Sequence, residues 1–415
     1  MRRFVLSLMA VGTAGLMTGC TDGIGPGPDP EPITELPRDL SITEGELIQA
    51  DNTFAFKLFQ EINEQEGDKN IFISPLSVAM ALGMTYNGAA GTTQQAMQEV
   101  LELQGMNLQE VNESYRSLID LLQDLDPSVE FVLANSIWYR NTMTFAQEFL
   151  DLNRDYFDAE VEAIDFSAPS ASETINGWVD EETNGRILEI VPETIPTYIV
   201  MYLINAIYFK ADWTYQFDKS RTSDAPFRLI DGSEVTVDMM EHGGEIPVRY
   251  LWNEDLMAVE LSYGGDAYVM TILLPYELGN INDVLAGLTQ ENWSAWLGDL
   301  YKGEVYVRLP RFTLEYELTM NDVLTALGMG VAFSPGAADF TKMYAPGGLY
   351  IDEVKHKTFV KVDEEGTEAA AATSVGIGLT SAPPMFVVDR PFVFVLREKL
   401  SGTILFMGKV VDPTG

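Results

Sequence analysis

Val362-Asp363-Glu364-Glu365-Gly366-Thr367-Glu368-Ala369-Ala370-Ala371-Ala372-Thr373 passes from a charged turn into a run of small residues, and no proline interrupts the chain from Gly366 to Ala382. In a β-strand successive side chains point to opposite faces. One set here is Thr367, Ala369, Ala371, Thr373, Val375 and Ile377; the other is Glu368, Ala370, Ala372, Ser374, Gly376 and Gly378. The first has no charge and no bulky ring, so it can enter a packed interior. The second holds the only charge and tolerates solvent. With no proline to remove a ladder hydrogen bond, the segment can become a strand. If about a dozen residues each gained roughly 1 kcal/mol of net hydrogen bonding, the change would release on the order of 10 kcal/mol, comparable to the stability of a domain. Composition alone slightly favours a surface loop of small residues; the position of the run between Glu364-Glu365-Gly366 and Pro391-Phe392 decides for the strand.

Outward from this stretch, the chain alternates short apolar runs with turn residues. Phe392 to Leu396 and Thr403 to Val410 are strand-like, and Lys399-Leu400-Ser401-Gly402 between them has hairpin-turn chemistry. Phe131 to Tyr139, Ile199 to Phe209 and Ala267 to Pro275 read the same way. Helix signals crowd the first third. Phe54, Ala55, Leu58, Phe59 and Ile62 form one apolar face, and Ser74-Pro75 supplies a cap and a first helical residue ahead of the apolar Val78 to Met84. Helices first and strands later give an α+β fold. No low-complexity break, charged linker or repeat follows Glu46, so residues 45–415 read as one domain.

The 415 residues carry 63 Asp plus Glu against 25 Lys plus Arg, a net charge of −38. Such a field repels a phosphate backbone, so no nucleic-acid partner is expected. One cysteine excludes an internal disulfide and a cysteine-based zinc cage. The only histidines are His242 and His356, which leaves little for triad or His-ligated metal chemistry. No enzyme activity, metal or cofactor is expected. Only 11 lysines occur, and the acidity suits salty surroundings in which carboxylate repulsion is screened.

Arg2 and Arg3, an apolar stretch over residues 4–17 and small residues before Cys20 read as an export signal. Leu16-Met17-Thr18-Gly19-Cys20 resembles a bacterial lipobox, which implies a signal peptide over residues 1–19 and lipidation of Cys20. Removing Arg2 and Arg3 takes the net charge to −40. Residues 20–44 then form a Pro/Gly/Asp-rich tether. The expected location is exported and lipid-anchored to a bacterial membrane, at the outer membrane or cell surface, or extracellular.

Several motifs in order resemble the serpin family over residues 46–413. They are Asn70-Ile71-Phe72-Ile73-Ser74-Pro75-Leu76-Ser77, Thr183-Asn184-Gly185-Arg186-Ile187, Asn205-Ala206-Ile207-Tyr208-Phe209-Lys210-Ala211-Asp212-Trp213, Leu309-Pro310-Arg311-Phe312, the stretch from Val362 to Thr373, and Asp389-Arg390-Pro391-Phe392. The resemblance implies the serpin fold: a large mixed central β-sheet, two smaller sheets, about nine helices and an exposed reactive-centre loop. It also implies an inhibitory suicide substrate. A target protease cleaves the loop, which inserts into the sheet while the acyl-enzyme is still covalent.

By the family's register the cleaved bond is Thr380-Ser381, with Gly366 fifteenth and Glu364 seventeenth before it. The hinge comprises Glu364, Glu365, Gly366, Thr367, Glu368, Ala369, Ala370, Ala371 and Ala372. Cleavage after Gly378 or Leu379 stays open. Thr380 suits a small apolar pocket, which favours elastase-like or subtilisin-like serine proteases; Leu379 sits where a papain-like cysteine protease reads its substrate. Ser74, Ser77, Asn205 and His356 are implied as a shutter beneath the sheet, with His356 a buried structural histidine. Trp213, Arg311 and Glu364 are implied as the breach, where insertion starts. His242 reads as a loop residue. The expected partners are the protease, and a membrane through Cys20; the chain itself is expected to be a monomer. The alternative is a non-inhibitory serpin-fold binding or chaperone-like protein whose loop is merely cut.

Overall fold

Nine helices and sixteen strands follow from the local signals in the computed structural model, which describes residues 32–254, 256–276, 280–367 and 384–415. The helices are α1 (Ile42–Glu66), α2 (Pro75–Tyr86), α3 (Gly91–Val100), α4 (Leu108–Gln123), α5 (Gln147–Phe157), α6 (Ser170–Glu182), α7 (Ile281–Ala286), α8 (Gln290–Asp299) and α9 (Asn321–Leu324). Strands β1 (Ile71–Ile73), β2 (Val129–Arg140), β3 (Glu160–Ile164) and β4 (Met201–Asp212) fall among the early helices. There follow β5 (Ser223–Arg228), β6 (Glu234–Glu241), β7 (Ile246–Trp252), β8 (Leu256–Tyr263) and β9 (Tyr268–Pro275). The last are β10 (Tyr301–Pro310), β11 (Phe312–Thr319), β12 (Lys355–Val362), β13 (Gly366–Thr367), β14 (Met385–Val387), β15 (Phe392–Glu398) and β16 (Ile404–Val410).

Each early helix is fixed by its cap and its apolar face. Ser41 and Glu44 form a reciprocal capping box at α1, and Leu47, Phe54, Leu58, Phe59 and Ile62 are fully buried along it. At α2 the Ser74 hydroxyl accepts from the Ser77 amide, Pro75 takes the first position, and nearly every residue is buried. Residues 33–44, which the sequence reading gives to the tether, carry the first contacts with the body. The Ile33 amide donates to Gly265 O at 2.7 Å, and Arg38, paired with Glu44 at 2.5 Å, donates to the Ser117 hydroxyl of α4 at 2.6 Å.

Strand β10 joins two sheets by bending between partners: Tyr301 to Val305 pairs with β7, whereas Arg308 to Pro310 pairs with β6 and Tyr306 to Arg308 with β14. The order through this assembly is β1-β16-β15-β9-β8-β7-β10-β6-β5. The central sheet is present as two blocks, β13-β4-β2-β3 and β11-β12. Among the described residues β4 and β12 share no ladder. The main core lies between these layers and the helices; a smaller cluster of Trp138, Phe166, Ile175, Val179 and Ile204 seats α6 on β2 and β4.

Candidate functional site

The site is built where β12 ends and the chain turns back onto β4. Asp363 makes the turn: its amide donates to Gly366 O, and its carboxylate accepts from the Glu365 amide. The returning β13 pairs antiparallel with β4, Gly366 opposite Asp212 and Thr367 opposite Ala211. Only glycine fits at 366, because an added Cβ would overlap the Ala211 carbonyl oxygen. Thr367 is buried, meets the Tyr263 hydroxyl at 3.1 Å, and lines a small cavity with residues 207–209 of β4 and 359–361 of β12. Thus β13 enters between the two blocks of the central sheet.

Three consecutive hinge carbonyls are held by one short segment after β4. The Trp213 amide donates to Glu365 O at 2.8 Å, the Trp213 indole to Asp363 O at 2.9 Å, and the Phe217 amide to Glu364 O at 2.9 Å. Trp213 in turn stacks on Tyr263 with ring centroids 4.2 Å apart. Glu364 is buried beneath this grip. Burial alone would raise its carboxyl, but the guanidinium of Arg311 at 2.5 Å and the Thr222 hydroxyl at 2.6 Å outweigh that and hold it below the ordinary carboxylate range. Arg311 also reaches Asp238 at 3.2 Å, Lys219 pairs with Glu365, and Lys361 pairs with Asp363 at 2.9 Å. Trp213, Arg311 and Glu364, the residues expected at the breach, are therefore brought together at the turn after β12.

The shutter residues are near one another but not all bonded. His356 is buried, its Nε2 accepts from the Ser74 amide at 3.0 Å, and Ser74 Oγ donates to Leu405 O at 2.8 Å. Burial without a countercharge pushes the imidazole down to about 4, so the ring is neutral. Asn205 does not join His356. Its amide donates from β4 to Asn135 Oδ1 of β2 at 2.8 Å, and its own Oδ1 is buried with no partner. Ser77, Asn205 and His356 share the lining of a cavity of about 420 Å³ between the start of β4, residues 348–357 and α2. The remaining expected loop residues, Glu368, Ala369, Ala370, Ala371, Ala372, Leu379, Thr380 and Ser381, lie outside the described residues, as does Cys20.

Sequence reasoning missed Phe217, Thr222, Lys219, Tyr263 and Asn135, none of which sits in a motif of its own. It also undervalued His242. That residue follows β6 and is buried, with its ring stacked on Phe217 at 3.9 Å. The apolar pair Met239-Met240 just before it, both buried, is the nearest local signal.

Comparison with known proteins places this architecture. The family model for serpins (serine protease inhibitors) matches residues 49–413. Leukocyte elastase inhibitor of Equus caballus is 36% identical over 380 residues, which cover 89% of this chain and 100% of that protein. The thermophilic serpin tengpin in its native state matches with a TM-score of 0.79 at 31% identity, over 92% of this chain and 97% of that one. Cleaved Serpin 42Da matches with a TM-score of 0.80 at 29% identity, over 89% and 99%. A central sheet with a loop hinge entering between its blocks is the serpin architecture, and this chain belongs to the serpin family.

Proposed function

We propose that the protein is an inhibitory serpin that traps a serine endopeptidase once per molecule. The observation that carries the reading is the register of β13 on β4. Continued residue by residue, that register sets Ala369, Ala371 and Thr373 opposite Phe209, Ile207 and Asn205, the core-facing side of β4, with only small side chains. It sets Glu368 opposite Lys210, a favourable cross-strand charge pair. The incoming strand thus matches the slot in size on one face and in charge on the other.

The chemistry follows from the bait. The protease serine adds to the Thr380 carbonyl, the Thr380-Ser381 amide breaks, and the amine of Ser381 leaves with the C-terminal fragment. Thr380 stays esterified to the protease while the loop inserts and carries it away. This chain supplies bait and stored folding energy, not catalytic groups. Similarity to relatives named leukocyte elastase inhibitor and the uncharged, β-branched Thr380 both favour a protease with a small apolar primary pocket; a cysteine protease reading Leu379 is the finer alternative. We propose further that the protein is exported and tethered through lipidated Cys20, which the mass of the mature N-terminus tests.

The inhibitory reading is tested by mixing the protein with pancreatic-type elastase and with subtilisin. The expected result is a complex stable to denaturant and a released peptide beginning at Ser381. Complete nicking with a fully active protease would sink the reading and favour a non-inhibitory binding protein.

A further inference from the structure

His242 touches two consecutive residues of the segment that grips the hinge. Its Nδ1 lies 3.0 Å from Gln216 O, and its ring stacks on Phe217, whose amide binds Glu364 O. Phe217 is closed on its other side by an edge contact with Trp213. A carbonyl only accepts, so Nδ1 carries the proton and Nε2 is the bare nitrogen. Nε2 is buried with no partner.

We infer that His242 is a positioning residue of the loop hinge: its neutral ring holds residues 213–217 in the shape that binds the carbonyls of 363–365, and protonation of the ring releases that hold. The inference rests on the inhibitory reading for its consequence, which is a hinge that loosens in acid. The hold itself is independent of any protease.

A proton on Nε2 finds no countercharge. At the end of β6, Glu241 is engaged by Tyr306, Arg221 and Arg308. On the gripping segment, Asp218 is engaged by Ser220 and Arg221, and Lys219 by Glu365. From the hinge, Glu364 is engaged by Arg311 and Thr222. From β10 the charged neighbour is the cation Arg308. A charged imidazole is therefore driven out of the stack. Burial agrees with this, pushing the ring down to about 4 against an ordinary 6.5. A ring freed to water regains the ordinary value, so opening becomes more frequent as pH falls from 6.5 toward 4.

The test is amide hydrogen exchange on the intact chain at pH 7 and pH 5, corrected for intrinsic rates. Between these values Glu364 stays ionised. Relative to the amides of β8 and β9, which report any change in global stability, the amides of Trp213 and Phe217 are expected to lose about 20-fold in protection from pH 7 to pH 5. Two variants that cannot titrate separate positioning from mere packing. His242→Phe keeps a ring against Phe217, and His242→Gln keeps a donor for Gln216 O; the pH step is expected to vanish in both. A step of the same size in either folded variant, or no step in the wild type, overturns the inference. If the step behaves as stated and nicking produces no trapped complex, the hold stands and the inhibitory reading fails.

Discussion

Glu364 owes its role to three neighbours that lie far from it in sequence. Arg311, Thr222 and the Phe217 amide meet its carboxylate and carbonyl, so an acid on a surface-like turn is buried and still ionised. The Arg311–Glu364 pair was legible from family motifs, but its burial was not, because the covering residues come from the irregular segment after β4. Asp51 was not legible at all. It sits on the buried face of α1, where the Tyr115 hydroxyl of α4 donates to Oδ1 at 2.9 Å and Oδ2 has no partner. Burial pushes its carboxyl up to about 7. A carboxyl raised in the fold contributes stability that is full below the unfolded value near 3.8 and is lost as pH rises through 7. Asp51→Asn removes that loss. The unfolding free energy of the variant is expected to exceed that of the wild type at pH 9 by on the order of 4 kcal/mol, and the gap to close only below about pH 4; equal stabilities at pH 9 would refute the assignment.

At the scale of elements, what the sequence made legible follows one physical line. Strands buried on both faces read as continuous apolar runs: Ala267 to Pro275 appears as β9 and Thr403 to Val410 as β16. Strand β5 did not read as a strand, since Asp224 and Pro226 are turn formers; at the edge of its sheet a proline costs no ladder bond. That the central sheet stands as two blocks with β13 at the gap is a tertiary fact that no local pattern encodes. If the loop inserts in the register of β13, Ala371 would come opposite Ile207, in the middle of the incoming strand. Ala371→Pro is therefore expected to leave the melting of the uncut protein unchanged and to turn the inhibitor into a substrate, with stoichiometry of inhibition raised at least tenfold. Trapping at wild-type stoichiometry would count against insertion along β4.

Across the whole molecule, charge is the unusual quantity. With 63 acids against 25 bases, repulsion opposes the compact state until salt screens it. The melting temperature is expected to rise between low and near-molar salt, and a flat response would remove the case for a saline habitat. The same acidity guards the outer strands of the central sheet against edge pairing, where β3 carries Glu160 and Glu162 and β11 carries Glu315 and Glu317. The stored energy is the central claim. Releasing on the order of 10 kcal/mol by strand insertion corresponds to about 13 °C in a chain of this size. The most direct measurement is the melting temperature before and after a single cut in the loop between Gly378 and Ser381. A rise on that scale is the predicted result, and an unchanged melting temperature in the fully nicked protein would contradict it.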